Sequence, residues 1–176
     1  MRTSLVLTVI GDDKPGIVEQ LSDRIRATGA NWEESRMARL AGKFAGLLRV
    51  SVDAGQADAL SARLRALDAG GLRIVVERSA QSAAQSPRLI WLELIGNDHP
   101  GIVHDIARAL AQQGVNIEEL ETDLTSAPMS GDTLFRARAT LSVPQTVSVE
   151  QLRSVLEALA GELMVDLALR EGGSDG

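Results

Sequence analysis

The hydrophobic residues of the chain follow two different spacings. Residues 5–10 form a short apolar run that stops at Gly11, a pattern typical of a strand buried in a sheet. The apolar residues within 17–25 then recur three or four positions apart, which is the spacing of one helix face. Glycine readily adopts the left-handed conformation that ends helices, so we place the end of this helix at Gly29.

Residues 31–77 predict two more strands, a helix and a last strand. The extended pattern of 31–51 is broken once, at Ala41-Gly42-Lys43, which predicts a hairpin. An apolar stripe through 57–67 predicts a second helix, and the alternation through 72–77 predicts a final strand. The order βαββαβ is that of the ferredoxin-like fold, an α+β architecture with one antiparallel sheet and both helices on one face.

The second half of the chain repeats the first. Displacing the sequence by 85 residues places Gly11–Val18 on Gly96–Val103, with six of eight residues identical. Gly29–Glu34 then falls on Gly114–Glu119, with four of six identical. The chain therefore contains the βαββαβ unit twice.

Two further patterns complete the second copy and its boundary. Ser148 precedes the last helix and Gln151 follows three residues on, which is the pattern of a capping box, and the last strand is expected near 163–169. Between the copies, a stretch of Ser, Ala and Gln is closed by Pro87, which is linker composition. The predicted organisation is a first domain at 1–79, a linker at 80–87, a second domain at 88–170 and a flexible tail at 171–176.

Charge and composition narrow the choice of partners. The 176 residues include 18 Lys+Arg and 24 Asp+Glu, a net charge of −6, so nucleic-acid phosphates would be repelled overall. Two Trp, two Phe and no Tyr leave few rings on which bases could stack. Residues 88–176 alone carry 14 acidic and 6 basic residues, so a partner of that half is expected to be basic or neutral. Direct nucleic-acid binding is not expected.

The chemistry-bearing residues do not form a recognisable catalytic or metal pattern. Without cysteine there can be no disulfide, thiolate metal site or Cys nucleophile. His99 and His104 are five residues apart rather than four, and no nucleophile elbow, P-loop or dinucleotide motif is present. The apolar run after Ser4 is too short for a signal peptide. A membrane-spanning helix needs ~18 consecutive apolar residues, and the sequence contains no such run. We expect a cytoplasmic protein that is not an enzyme and holds no cofactor or metal.

The repeated Gly-x-Asp-x-Pro-Gly-Ile-Val segment joins a strand to a helix N-terminus. Free amide N–H groups and the helix dipole favour a small anion there, such as a carboxylate. Gly16 and Gly101 have no Cβ, so a ligand can approach the backbone closely. Asn31 and Asn116 open the next strand, whose start is expected beside the loop, where a carboxamide could contact both an ammonium and a carboxylate. The pattern predicts an amino-acid site.

The same residues also have a purely structural interpretation. Asp-x-Pro-Gly is ordinary helix-start chemistry, and Asp13 and Asp98 are more often N-caps than ligand groups. The pairs Glu33-Glu34 and Glu118-Glu119 alternate across a strand, so only one residue of each is expected to face a ligand or partner. Solvated charge at a sheet edge is their expected role.

Both copies resemble the ACT domain, a regulatory module that binds amino acids. The resemblance rests on the loop Asp13–Val18, on the strand entry Gly29–Asn31 and on the βαββαβ order. Two such domains without a catalytic domain, together with the Ala127–Gly131 loop before Leu134-Phe135, resemble the glycine cleavage system transcriptional repressor family. That loop is long for a hairpin and is expected to be a mobile surface loop or a partner contact.

This resemblance implies a regulator that senses glycine or serine and acts on the transcription of glycine cleavage genes. It implies that the regulator contacts a transcriptional activator protein and does not itself bind DNA. A homodimer is among the expected states, because in ACT proteins the effector commonly lies between paired domains, against the strand-to-helix loop. When the two copies are aligned, Lys14 corresponds to His99 and Trp32 corresponds to Ile117. The two sites are therefore not required to bind the same ligand. Carried over to this sequence, the ligand-binding residues are Asp13, Pro15, Gly16, Ile17, Asn31, Asp98, Pro100, Gly101, Ile102 and Asn116.

Two other functions stay open. The chain could be a detached regulatory subunit of an amino-acid enzyme, since similar ACT modules precede the catalytic domain in formyltetrahydrofolate deformylases. It could also be a dimerisation module whose loops bind nothing. A neighbouring gene for glycine cleavage or for a LysR-type activator would favour the repressor, and an adjacent biosynthetic enzyme would favour the subunit.

Overall fold

The computed structural model describes residues 1–79, 87–127 and 131–171. The chain divides into two compact units, Met1–Ala83 and Ala84–Gly176, and each unit folds around its own hydrophobic cluster. Most of the predicted linker, the middle of the predicted Ala127–Gly131 loop and all but the first residue of the predicted tail lie outside the described residues. That first residue, Glu171, belongs to the last strand, where it pairs with Ile90.

The first unit has the predicted order of helices and strands. Its elements are β1 (Arg2–Asp12), α1 (Ile17–Arg26), β2 (Asn31–Leu40), β3 (Lys43–Asp53), α2 (Ala57–Arg65) and β4 (Leu72–Arg78). Short 3-10 segments at Ala54–Gln56 and Ala66–Gly70 flank α2. The strands are ordered β2-β3-β1-β4, and β1 pairs antiparallel with both of its neighbours.

The second unit repeats this architecture. Its elements are β5 (Arg88–Asn97), α3 (Ile102–Gln112), β6 (Asn116–Ser126), β7 (Thr133–Val143), α4 (Val149–Leu163) and β8 (Val165–Glu171). The strand order β6-β7-β5-β8 matches that of the first unit position by position. The predicted α+β class with two ferredoxin-like units is confirmed.

The core of each unit lies between the sheet and its two helices. In β1, Leu5, Leu7 and Val9 are buried, while Thr8 and Ile10 on the other face are exposed. This alternation is what a strand with one covered face requires. The central strand β5 of the second unit alternates in the same way, with the buried residues Ile90, Leu92 and Leu94.

The predicted helix stripes are confirmed except at one position in each copy. Ile17, Leu21 and Ile25 are buried, but Val18 is 49% exposed. Val103 in the second copy is 43% exposed. Each valine directly follows a buried isoleucine, and successive residues of a helix point about 100° apart, so the valine lies at the side of the helix.

The ends of the helices follow the expected local chemistry. Gly29 and Gly114 both adopt left-handed conformations after the first helix of their unit, with φ of 66° and 70°. Ser148 caps α4, because its hydroxyl accepts a hydrogen bond from the Gln151 N–H at 3.4 Å. These residues set the lengths of the helices and hence the points where the next strands begin.

The expected alternation of the glutamate pair is wrong in the first unit. Both Glu33 and Glu34 contact the guanidinium of Arg49, at 3.4 and 3.3 Å. A shift in register between Trp32 and Glu34 places an extra residue in β2, and such a bulge brings consecutive side chains to one partner. β2 is an edge strand, as the predicted edge role of these charges requires.

Across the described ranges, none of the helices combines the length and the apolarity needed to cross a bilayer.

We expect Gly96→Ala to destabilise the second unit and Gly161→Ala to stabilise it. A Cβ on Gly96 would lie 2.9 Å from Val165 Cα, so β5 and β8 would have to separate, at a cost of about 1–3 kcal/mol. A Cβ on Gly161, inside α4, would meet nothing within 4 Å, and alanine is favoured over glycine in a helix by about 0.5–1 kcal/mol. Urea unfolding measures both changes. A Gly96→Ala protein as stable as the wild type would contradict the close pairing of these strands.

Candidate functional site

The two strand-to-helix loops are held by equivalent backbone hydrogen bonds. In the first unit, the Asp13 N–H donates to the Gly42 carbonyl oxygen at 2.9 Å. In the second, the Asp98 N–H donates to the Thr133 carbonyl oxygen at 2.9 Å. Each loop is therefore fastened to the hairpin that joins the second and third strands of its own unit.

Each helix begins at a glycine in the left-handed region. Gly16 has φ 92° and Gly101 has φ 101°, and neither helix start has a side-chain cap. The first intrahelical bonds are those from Gln20 N–H to Gly16 and from Asp105 N–H to Gly101, both 2.9 Å. The N–H groups of residues 17–19 and 102–104 consequently have no intrahelical acceptor, which is the arrangement that binds anions at helix N-termini.

An acidic side chain of the first turn lies over each of these glycines. The Glu19 Oε2 atom is 3.8 Å from the position that a Cβ on Gly16 would take. The Asp105 Oδ2 atom is 3.6 Å from the corresponding position on Gly101. Acidic groups are stabilised at helix N-termini, and their charge disfavours a second, simple anion. A ligand that brings a positive group together with its carboxylate avoids that repulsion.

The predicted N-cap role of Asp13 and Asp98 is wrong. The N-caps are Gly16 and Gly101, and each aspartate lies three residues before its N-cap. At that distance along the chain the aspartates do not cap the helices. Asp13 instead pairs with Arg39 near the end of β2, with 2.7 Å between Oδ2 and Nε. The aspartate therefore ties the loop to the sheet edge.

Charge around the first loop is balanced by pairs of side chains. The Lys43 ammonium, which donates a hydrogen bond to Asp12, lowers the pKa of the Asp12 carboxyl below its ordinary value. Arg39 is paired with Asp13. Because these cations are already paired, recognition of an anion at this loop would depend chiefly on the backbone N–H groups.

A basic side chain at the same position of each loop reaches the end of the second helical segment. The Lys14 ammonium donates to the carbonyl oxygen of Gly70 at 2.9 Å. His99 Nε2 lies 3.1 Å from the carbonyl oxygen of Leu163, the last residue of α4. Cations and N–H donors are favoured at helix C-termini, where carbonyls lack partners. The sequence comparison of the copies showed Lys14 and His99 aligned but did not indicate this contact, which joins segments 56 and 64 residues apart.

The carboxamides predicted to lie beside the loops are at the other end of each sheet. Asn31 pairs with Ser51, which in turn pairs with Ser4 near the start of β1. The loop follows Asp12, eight residues further along β1, which is about 26 Å at ~3.3 Å per residue. Asn116 occupies the same register position in the second unit. The expected proximity within one unit is wrong, because the first helix runs back along the sheet before the next strand begins.

The remaining predicted site residues contribute backbone rather than side chains. Ile17 and Ile102 are each 3% exposed and their side chains belong to the cores, so only their N–H groups face the loops. Pro15 and Pro100 are exposed in the turns immediately before the left-handed glycines. The structure thus brings together the aspartate, proline, glycine and isoleucine of each loop, and leaves out the asparagine.

The second unit contains an apolar cavity that was not predicted. It has a volume of about 30 Å³ and lies between α3 and the strands β5, β6 and β7. Its lining includes Ile102 and Val103 of the helix start, and Ala137 and Ala139 of β7. No sequence signal indicated it, since displacement by 85 residues places Leu48 on Thr133, whereas the strand registers of the two units align Leu48 with Ala139.

Within the described ranges, no group of three or more histidine and acidic side chains is placed to hold a metal ion.

The chain thus consists of two tandem ferredoxin-like domains, and in each of them the first helix begins at a left-handed glycine after a loop that is hydrogen-bonded to the hairpin. The chain belongs to the ACT domain family, since family profiles described as the ACT domain match residues 3–77 and residues 85–165.

Four proteins are similar to this chain over nearly its whole length. The glycine cleavage system transcriptional repressors of Escherichia coli (strain K12) and Shigella flexneri are each 26% identical to this chain over 164 residues, which are 90% of this chain and 85% of theirs. The crystal structure of an unknown protein from Galdieria sulphuraria is 33% identical, with a TM-score of 0.88 over 98% of this chain and 100% of that one. A crystal structure of a candidate glycine cleavage system transcriptional repressor, 20% identical, has a TM-score of 0.75 over 99% of both chains and is similar in fold.

Replacement of His99 by alanine is expected to lower the stability of the second unit by about 1 kcal/mol, since the Leu163 carbonyl loses its partner. Amide hydrogen exchange at Asp98 and Asp105, whose N–H groups are hydrogen-bonded, is expected to become faster, because the loop loses its connection to α4. Exchange rates there equal to those of the wild type, measured by mass spectrometry, would contradict the anchoring role.

Proposed function

We propose that this chain is an amino-acid sensor, with glycine as its effector, that controls transcription of glycine cleavage genes by contact with an activator protein. The observation that carries the proposal is the duplicated helix start, in which free backbone N–H groups adjoin a first-turn carboxylate. Two such loops in one chain, with ACT domains on either side of the boundary, support a role in binding rather than in catalysis.

The electrostatics of the loops favour a zwitterion. The N–H groups of residues 17–19 would receive the ligand carboxylate, and the Glu19 side chain beside Gly16 would receive its ammonium. Asp105 beside Gly101 would take the role of Glu19 in the second unit. A carboxylic acid without an amine would meet an unopposed carboxylate, so small amino acids such as glycine and serine are the proposed ligands.

The proposed ligand residues fall into two groups. The loop group is Asp13, Pro15, Gly16 and Ile17 in the first unit and Asp98, Pro100, Gly101 and Ile102 in the second. The second group is Asn31 and Asn116, which stand about 26 Å along the sheet from the loop of their own unit. In the proposal, a second copy of the chain brings these carboxamides to the loops, which makes the homodimer part of the mechanism.

The proposed transcriptional role is supported by the names of the relatives and by the share of this chain that aligns with them. Proteins called glycine cleavage system transcriptional repressors align with 90% of this chain, across both ACT domains. The net charge of −6 disfavours direct binding to DNA. The proposed mechanism of transcriptional control is therefore contact with an activator protein. The excess of acidic residues in 88–176 would suit a basic surface on that activator.

Glycine or serine at a hundredfold excess over its dissociation constant is expected to stabilise the protein by about 2.7 kcal/mol in thermal unfolding. Gly16→Asp and Gly101→Asp together are expected to remove this shift, because each new carboxylate would occupy the place of the ligand's carboxylate.

A protein with both Gly29→Asp and Gly114→Asp is the matched control for the ligand experiment. These glycines have φ of 66° and 70° and open space around them, so the variant has a similar left-handed strain and the same two added charges, but at the far ends of α1 and α3. It is expected to keep the ligand shift. A panel of all common amino acids that gives neither a shift in melting temperature nor heat in calorimetry with the wild type would contradict the proposal.

The protein alone is expected not to retard glycine cleavage promoter DNA at ~150 mM salt, because its net charge of −6 supplies no excess of phosphate-neutralising groups. It is expected to change the retardation of the same DNA by the activator, in a glycine-dependent way. Tight retardation by the protein alone that persists as salt is raised would overturn the indirect mechanism.

A further inference from the structure

The face of the first sheet that lies opposite the helices carries exposed apolar side chains. Ile10, Leu47 and Val75 are 45%, 53% and 50% exposed, and they lie on the adjacent strands β1, β3 and β4. Thr8 pairs with both Leu47 and Val75, so these three residues form one row across the sheet. Ile10 lies two residues further along β1, on the same face. We call this surface the open face; adjoining, exposed aliphatic side chains of this kind mark an interaction surface.

The second unit has a charged row at the same place in its sheet. In its register, Glu93 of β5 pairs with Arg138 and with Ala168. Arg138 and Glu93 also form an ion pair, with 3.7 Å between Nε and Oε1. The fold therefore does not require an apolar row on this face, and the exposed leucine and valine of the first unit call for another explanation.

Two charged residues of β4 lie on either side of the apolar row. Arg73 pairs with Ile10 and Glu77 pairs with Val6, so both lie on the open face, two residues from Val75. Within the part of the chain that the structure describes, neither side chain forms an ion pair. Four residues apart on one strand, they are separated by about 13 Å and cannot pair with each other.

The charges of β4 are complementary to themselves under two-fold symmetry. A two-fold axis along the row through Val75 would stack two open faces and reverse the direction of the second β4. Arg73 of one copy would then lie opposite Glu77 of the other, and symmetry would repeat this pair. Stacked sheets lie about 10 Å apart and cross at about 30°, a gap that an arginine and a glutamate can bridge together.

The open face is large enough for a specific dimer. The four strands have 11, 10, 11 and 7 residues. At about 4.8 Å between strands and about 3.3 Å per residue, the face measures about 19 Å by about 32 Å. Complete stacking of two such faces would bury about 1,200 Å², above the roughly 1,000 Å² of a specific interface. Residues 1–87 hold 12 basic and 10 acidic residues, so net charge does not oppose the contact of two first units.

We propose that a second copy of the chain covers the open face of the first unit, with Leu47 and Val75 at the centre of the interface and two pairs of Arg73 with Glu77 at its rim. The inference rests on the homodimer of the proposed function and adds the surface through which the two copies meet. The rotation also moves Asn31 of the second copy to the end of the sheet at which the loop leaves β1.

Sedimentation equilibrium of the full chain measures the dimer. The wild type is expected to have twice the 18.7 kDa mass of one chain. Leu47→Lys is expected to raise the dissociation constant of the dimer by about 100-fold, because the dimer loses two leucine contacts and gains two charges in an apolar interface. Leu124→Lys changes a leucine of β6 that is 59% exposed, and this matched control is expected to leave the constant unchanged. Thermal unfolding verifies that each variant is folded.

Charge reversal on β4 tests the two-fold arrangement. Arg73→Glu would place two glutamates opposite each other at each pair, and Glu77→Arg would place two arginines there. Each variant alone is therefore expected to be monomeric, because like charges in an interface repel. When the two variants are mixed in equal amounts, a heterodimer is expected, because both of its pairs join opposite charges.

The outcomes separate the interface from the ligand site. A monomeric wild type, or a dimer that is unchanged in folded Leu47→Lys protein, would overturn the open face as the interface. Charge variants that are monomeric alone and stay monomeric when mixed would overturn the two-fold arrangement. Glycine binding by a monomeric wild type would leave the proposed ligand loops standing, whereas a dimer of the predicted kind that binds no amino acid would overturn those loops and keep the interface.

Discussion

The left-handed glycine at the start of each first helix is the constraint on which the account of this protein depends. With φ of 92° at Gly16 and 101° at Gly101, the backbone turns into the helix without any side-chain cap. Other residue types adopt this conformation only with strain, and a capping side chain would cover the free N–H groups. The loop contacts with the hairpin and with the second helical segment hold that arrangement in place.

The duplication preserves the backbone of the site while its surroundings differ. Lys14 and His99 reach equivalent carbonyl oxygens with different side chains, and Glu19 and Asp105 approach the glycines from different positions of the first turn. Behind the loops the copies diverge more, since a packed leucine in one core is an alanine beside a cavity in the other. The backbone of the proposed site is thus the same in both copies, whereas the side chains around it differ.

The local patterns of the sequence were sufficient to predict the order of helices and strands, the left-handed helix ends and the duplication. Helix spacing, glycine turns and caps act over a few residues, so they can be read directly along the chain. The position of Asn31 in the sheet could not be predicted in this way, because it is set by strand pairing: Asn31 pairs with β3, which in turn pairs with the start of β1. The shared contacts of Glu33 and Glu34 depend on a bulge, and the pairing of Asp13 with Arg39 joins the loop after β1 to the end of β2. The cavity depends on differences between two cores and has no local signal.

The proposed site requires that free backbone amides at the helix starts bind the ligand carboxylate. The most direct measurement is a titration of isotopically labelled protein with glycine, followed by NMR at the amides of residues 17–19 and 102–104. These amides are expected to shift first and furthest, downfield as new hydrogen bonds form. Saturable glycine binding that leaves them unchanged while amides elsewhere shift would contradict it.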